Sequence, residues 1–76
     1  MQESKFLHIF RVELEDPSLG MSSQFKQHPK WTSLVSIIII NEIESEFGII
    51  LEVNDIKDSD SIGDLFNLLS NYSLDS

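Results

Sequence analysis

The chain has 76 residues and no cysteine, with 13 acidic residues against five basic ones and a formal net charge of −8. This is the length of one small domain, in which nearly all regularly spaced apolar residues are needed for packing. The acidity argues against binding to nucleic acid or to an anionic membrane surface, because both need Lys and Arg, and favours encounter with basic partner surfaces. The lack of cysteine excludes disulfides, zinc–thiolate sites and cysteine nucleophiles.

Neither a secretory signal nor a membrane-spanning segment is visible in the sequence. The first residues lack a basic region followed by a long apolar one. The longest apolar run, residues 37–40, is far shorter than the roughly 18 residues of a spanning helix. We therefore expect a cytoplasmic monomer without a membrane span.

Residues 3–15 carry apolar side chains at the spacing of one helix face, which predicts a first helix. These side chains are Phe6, Ile9, Phe10 and either Val12 or Leu14. Pro17 and Gly20 then end the helix, because proline cannot continue it and glycine permits a turn. Residues 21–30 form a long polar connection, which we expect to pack through a few large apolar side chains. These are Leu19, Phe25 and Trp31.

Residues 32–47 are ambiguous when only local patterns are considered. The four isoleucines at 37–40 are β-branched and suit a strand, whereas the length of the segment and its acidic end favour a helix. In a helix, at about 100° per residue, four apolar side chains share one face, and Val35 and Ile38 lie off it. The four are Ile37, Ile40, Ile43 and Phe47. Gly48 is suited to end such a helix.

A second β-like run occupies residues 49–53, and a short helical turn is predicted around Ile56. The last helix is predicted to begin after Asp60 or Ser61, either of which can cap it, with Asp64 placed to reinforce a Ser61 cap. Its apolar stripe consists of Ile62, Leu65, Phe66 and Leu69.

Several features of the second half resemble the acyl carrier protein family. Ser33 is followed by leucine, where the family has Asp-Ser-Leu, and residues 44–49 match the family's Glu-x-Glu-Phe-Gly-Ile element. Ser33 lies fourteen residues before Phe47, which is the spacing in the family. Residues 53–56 and 60–65 are similar to the family's stretches before and into its last helix.

The resemblance implies a helix for residues 32–47, a choice that periodicity alone leaves open. It further implies an all-α fold, a small four-helix bundle of acyl-carrier type with three main helices and one short helix. Residues 1–76 would form a single acyl-carrier-like domain, with a core of about residues 5–70 and a flexible tail at residues 71–76.

In function, the resemblance implies a carrier and not an enzyme. Ser33 would carry a phosphopantetheine arm, on which acyl groups are held as thioesters for fatty-acid or related lipid or secondary-metabolite biosynthesis. The implied partners are a phosphopantetheinyl transferase, acyl-loading enzymes, and acyl synthases or transferases. Three alternatives stay open: Thr32 or Ser33 merely caps the helix, the domain is an unmodified interaction module, or it is a peptidyl carrier for an activated amino acid.

The chain departs from the family pattern at two places. Thr32 stands where the family has an aspartate that helps the transferase recognise its substrate. Val35 and Ile38 stand where the family often has acidic residues that partner enzymes recognise. In this chain they are therefore either buried or form an apolar docking patch. The predicted partner-recognition residues are Thr32, Leu34, Val35, Ile38, Glu42, Glu44 and Glu46.

Other kinds of chemistry find little support in the sequence. His8 and His28 are isolated, so we expect no metal site. The Gly-x-Ser-x-Gly pattern of serine hydrolases is absent. Residues 58–69 superficially resemble a calcium-binding loop, but Ile62 and Leu69 stand where that loop needs oxygen ligands.

Overall fold

Four α-helices follow one another along the chain in the computed structural model, which describes residues 2–73. They are α1 (Glu3–Glu13), α2 (Ser33–Phe47), α3 (Val53–Lys57) and α4 (Ile62–Ser73), and a 3₁₀ turn lies at Phe25–Gln27. No strand occurs within the described range, and the β-like run of residues 49–53 is irregular until α3 begins. The predicted all-α bundle of three main helices and one short helix is therefore confirmed.

The last helix is longer than predicted. The expected tail began at Asn71, whereas α4 continues to Ser73. The hydroxyl of Ser70 donates a hydrogen bond to the carbonyl oxygen of Phe66 at 2.8 Å, one turn earlier on the helix. Residues 74–76, the rest of the predicted tail, lie outside the described residues.

α1 turns one apolar face towards the interior. Phe6 and Phe10 are fully buried and Ile9 is nearly so, because residues three and four apart lie on the same side of a helix. Of the two alternatives for the last apolar position, Leu14 is fully buried and Val12 is 51% exposed. The apolar face of α1 is thus completed by the residue that directly follows the helix.

The long connection between α1 and α2 is held by apolar contacts and a cross-link to α1. Leu19 and Phe25 are buried, and Trp31 packs partly buried against the core and the Phe25 ring, as predicted. The Nε–H group of Arg11 donates to the carbonyl oxygen of Leu19 at 2.8 Å. A connection of this length is therefore ordered by its own side chains.

A hydrogen-bonded acid joins the two ends of this connection. Asp16 accepts the backbone N–H of Ser18 at 2.9 Å, and its other oxygen lies 2.9 Å from Nε2 of His28. Hydrogen bonds from Ser18 and His28 hold the pKa of Asp16 down, at about 2. The other ring nitrogen of His28 accepts the N–H of Lys30 at 3.1 Å, so both ring nitrogens form hydrogen bonds within the connection.

The same connection also contacts the start of α4. The N–H groups of Ile62 and Gly63 donate to the carbonyl oxygens of Ser23 and Met21 at 3.0 and 2.7 Å. A Cβ atom at Gly63 would lie 2.9 Å from the Met21 oxygen. Glycine at this position therefore allows the loop backbone to approach the helix closely enough to satisfy its first N–H groups.

The helices of the C-terminal part begin with reciprocal caps. The hydroxyl of Ser61 accepts the N–H of Asp64 at 3.0 Å, and the carboxylate of Asp64 accepts the N–H of Ser61 at 3.1 Å, which confirms the predicted cap. The bond from the Ser61 N–H is the main reason why the pKa of Asp64 is lowered. At the start of α3, the Asp55 carboxylate likewise accepts the N–H of Glu52 at 2.9 Å.

The buried face of α2 differs from the predicted one. Ile39 and Ile43 are fully buried, whereas Ile37 is 54% exposed, so the predicted stripe is wrong at Ile37. Val35 and Phe47 pack partly buried against the core and extend the same ridge, each four residues from the next buried position. Because six of the seven residues from 34 to 40 are apolar, helical periodicity fits several faces, and the contact with α1 selects among them.

Aromatic rings connect the elements through the centre of the bundle. The Phe6 ring lies 5.4 Å from Phe66 of α4 and 6.2 Å from Phe47 of α2, measured between centroids. Phe10 meets Phe25 at 5.2 Å with a T-shaped geometry, which is a favourable arrangement for aromatic pairs. The two aromatic residues of α1 therefore contact α2, α4 and the long connection.

The position of the buried face can be tested with two isoleucines on the same helix. Ile39→Ala is expected to lower the free energy of unfolding by about 2–5 kcal/mol, because it leaves a cavity in the core. Ile37→Ala is the matched control and is expected to cost less than about 0.5 kcal/mol, because its side chain is half exposed. Urea denaturation of both variants measures the difference, and equal losses would show that the face has been placed wrongly.

Candidate functional site

Ser33 is the first residue of α2 and is exposed to solvent. The neighbouring Thr32 caps the helix, since its Oγ1 accepts the N–H of Val35 at 3.1 Å. The hydroxyl of Ser36 donates a hydrogen bond to the carbonyl oxygen of Ser33 at 2.7 Å, which is a contact within the first turn of α2. Within the described chain the Ser33 hydroxyl takes part in no hydrogen bond. Thr32 therefore caps the helix, and the Ser33 hydroxyl is exposed and not used for capping.

The start of α2 has the electrostatic character that an attached anion needs. The first turn carries no acidic residue, and the unpaired N–H groups of a helix start give it a partial positive charge. Lys30, three residues before Ser33, forms an ion pair with Glu15. The helix end itself is therefore the feature that would favour a phosphate group linked to Ser33.

A fixed aromatic residue precedes the site. Trp31 is partly buried and its ring meets that of Phe25 at 5.0 Å with a T-shaped geometry. Its backbone N–H donates to the carbonyl oxygen of His28 at 3.0 Å. The chain that leads into Ser33 is thus held by both side-chain and backbone contacts.

The predicted apolar recognition residues occupy different environments. Leu34 is 67% exposed. Val35 packs partly buried against the core, whereas Ile38 is half-buried without belonging to the core cluster. Ile37, absent from the predicted set, is 54% exposed. Its position three residues after Leu34, on the same side of the helix, is the sequence signal that points to it.

The predicted acidic recognition residues also occupy different environments. Glu44 is exposed, and Glu46 forms an ion pair with Lys5 of α1 at 2.9 Å. Glu42 is half-buried and lines a groove between α1 and α2. A hydrogen bond to Glu13, followed by burial and the nearby charges, raises the pKa of Glu42 to about 7.

Among the residues that the structure describes, no arrangement for acid–base or metal chemistry surrounds Ser33. His28 and Asp16 form a pair, but that pair engages Ser18, and His8 lies in the α1–α2 groove. In the described part of the chain, no group of three or more potential ligands comes together to hold a metal ion. None of the described helices has both the length and the apolar character needed to cross a membrane.

No protein-family model, curated protein or solved structure matches the chain.

The burial of Val35 can be tested against its exposed neighbour. Val35→Asn is expected to lower the free energy of unfolding by about 1–3 kcal/mol, because it places an amide against the core. Leu34→Asn is expected to change it by less than about 0.5 kcal/mol. Both substitutions introduce the same uncharged residue in the first turn, so the effect of the helix dipole is matched. Urea melts that gave equal values would assign Val35 to the solvent-facing side.

Proposed function

We propose that this protein is an acyl carrier, in which Ser33 bears a phosphopantetheine arm that holds acyl groups as thioesters. The observation that carries the proposal is the exposed Ser33 hydroxyl at the start of a 15-residue helix that Thr32 caps. The helix ends at Gly48 in a left-handed conformation, with φ of 69°. The all-helical bundle and the Ser33-to-Phe47 spacing support the same assignment.

Each side chain near the site has a distinct task in this proposal. The arm would supply the thiol that a chain without cysteine lacks. Ser33 would accept the arm through its hydroxyl, and Thr32 would keep that hydroxyl available by capping the helix in its place. The N–H groups of the first turn would stabilise the phosphodiester, since anions are favoured at a helix start.

The partners in this proposal approach α2. A phosphopantetheinyl transferase would attach the arm, and acyl-loading enzymes, synthases and transferases would use it. The exposed side chains of Leu34 and Ile37, with Ile38 beside them, offer an apolar contact surface, and Glu44 adds an exposed acid. Encounter with a basic partner surface would be steered by the negative charge and slowed by salt.

The wider setting in this proposal is that of a cytoplasmic monomer that performs no bond chemistry itself. The pathway would be fatty-acid biosynthesis, or related lipid or secondary-metabolite biosynthesis. A peptidyl carrier, which holds an activated amino acid on the same arm, shares the chemistry and differs in the loading enzyme. An adenylating enzyme encoded nearby would favour that variant of the proposal.

A second candidate is an interaction module of the same shape that carries no arm. The observation that favours it is Thr32, which leaves the start of α2 without an acid in its first turn. The transferase would then lack the carboxylate it reads, and Leu34 and Ile37 would serve a partner directly.

Attachment of the arm is tested by intact mass after incubation with a broad-specificity transferase and coenzyme A. The wild-type chain is expected to gain the mass of one phosphopantetheine group, and Ser33→Ala to gain none while keeping its helical circular-dichroism spectrum. Ser45→Ala, an exposed serine on the same helix, is the matched control and should be modified like the wild type. A wild-type protein that never gains mass would favour the interaction module instead.

The missing acid can be restored. Thr32→Asp is expected to raise the rate of modification several-fold, because it returns a carboxylate beside Ser33 while keeping a good helix cap. Thr32→Asn, which caps equally well without charge, is the control and should stay near the wild-type rate. The measurement is the initial rate of mass gain, and equal rates in all three proteins would show that the acid is not limiting.

A further inference from the structure

The contact between α1 and α2 leaves an open groove of about 200 Å³ on the surface. It is lined by Lys5, His8, Ile9, Val12, Glu42 and Glu46. Ile9 is almost fully buried, and Val12 is half exposed. The groove thus combines apolar side chains from α1 with two acidic side chains from α2.

Only one of the two glutamates in this groove is paired with a cation in the described part of the chain. The Nζ atom of Lys5 lies 2.9 Å from Glu46 and 5.8 Å from the centre of the Phe47 ring, so this cation is already engaged. Glu42 is half-buried and forms no ion pair with any described residue. With histidine counted as neutral, the groove therefore carries one negative charge without a counter-charge when Glu42 is ionised.

The groove faces a different side of α2 from the candidate site. Glu42 follows Ser33 by nine residues, which at about 100° per residue places the two on roughly opposite sides of the helix. The same angle puts Glu42 about 140° from Ile37. A partner bound in the groove would therefore leave Ser33 uncovered, and the groove can be considered apart from the proposed carrier function.

The size and chemistry of the groove restrict what it can hold. Small-molecule sites usually enclose about 300–1,000 Å³, which is more than this groove offers. An arginine side chain suits it better, because its apolar stem can lie along Ile9 and Val12 while its guanidinium forms a bidentate pair with the Glu42 carboxylate. Arginine is also less strongly hydrated than lysine, which favours it where the carboxylate is half-buried.

Such an arginine would come from a different protein. The one arginine of this chain, Arg11, already donates its Nε–H to the carbonyl oxygen of Leu19. Two copies of the chain would each bring a net charge of −8 and repel each other. The same negative charge would attract a basic protein, so charge complementarity selects a basic partner over a second copy.

We propose that the α1–α2 groove is a docking pocket for an arginine side chain of a basic partner protein, with Glu42 as the residue that pairs with the guanidinium. The stem of the arginine covers the apolar surface that Val12 exposes, and its charge balances the groove. An arginine that fills a pocket near the centre of a contact is a frequent binding hot spot.

An NMR titration with a capped tripeptide, arginine between two leucines, tests the proposal. It is run at pH 8, where Glu42 is mostly ionised, because a hydrogen bond to Glu13 and then burial raise the pKa of Glu42 to about 7. The methyl signals of Ile9 and Val12 are expected to shift and saturate. The same peptide with citrulline, which has the same shape without the charge, should bind roughly fivefold more weakly or worse.

Two matched variants assign the charge effect to one carboxylate. Glu42→Gln is expected to bind the arginine peptide as weakly as the citrulline peptide. Glu44→Gln removes the same charge from an exposed position on the same helix and should keep the preference for arginine. Circular dichroism verifies that both variants keep the helical fold.

Three results would overturn the proposal. One is equal binding of the two peptides by the wild-type protein, or no saturable shift at Ile9 and Val12. Another is a response centred on Leu34 and Ile37, which would place the apolar contact on the other face of α2. The third is a change of the Ile9 and Val12 signals with protein concentration in the absence of peptide, which would assign the groove to a second copy of the chain.

Discussion

The contact of the Phe6 ring with three helices is the interaction on which the rest of the fold depends. Its ring is fully buried and meets Phe10 on its own helix, Phe47 at the end of α2 and Phe66 on α4. A domain of this length has one small core, so a single large side chain carries a large share of the helix-to-helix contact. The orientation of α2, and with it the position of Ser33, follows from how α2 packs on this face of α1.

Charge is distributed unevenly between the two halves of the chain. Residues 1–31 contain four acidic and four basic residues, so the whole net charge of −8 lies on residues 32–76. All four basic side chains in the first half are bound within the fold: Lys5 to Glu46, Lys30 to Glu15, and Arg11 and Lys26 each to a carbonyl oxygen. The negative field is therefore centred on α2, α3 and α4, which is the part of the molecule that carries Ser33.

Elements defined by local chemistry were predictable from the sequence. The Ser61–Asp64 cap and the end of α2 at Gly48 follow from residue types at fixed spacings, and the structure contains both. The buried face of α2 was not predictable in the same way. In a run of consecutive isoleucines every helical face is apolar, so only the tertiary contact with α1 decides that Ile39 is buried and Ile37 exposed.

The candidate site was predictable to a similar extent. The position of Ser33 at the start of a helix followed from the sequence. Which of Thr32 and Ser33 caps the helix, however, depends on which hydroxyl reaches the N–H of Val35. The different environments of Glu42, Glu44 and Glu46 arise because α1 covers one side of the helix. Glu42 lines the groove against α1 and Glu46 pairs with Lys5 of α1, and these placements depend on packing between helices that no local pattern encodes.

The placement of Trp31 gives the molecule a built-in optical probe. It is the chain's one tryptophan, and its indole packs edge-on against Phe25 two residues before Ser33. Because the ring is only partly buried, its emission wavelength responds to how much water reaches the junction between the loop and α2. A group or a partner that changes how much water reaches this junction will therefore change the fluorescence of the unlabelled protein.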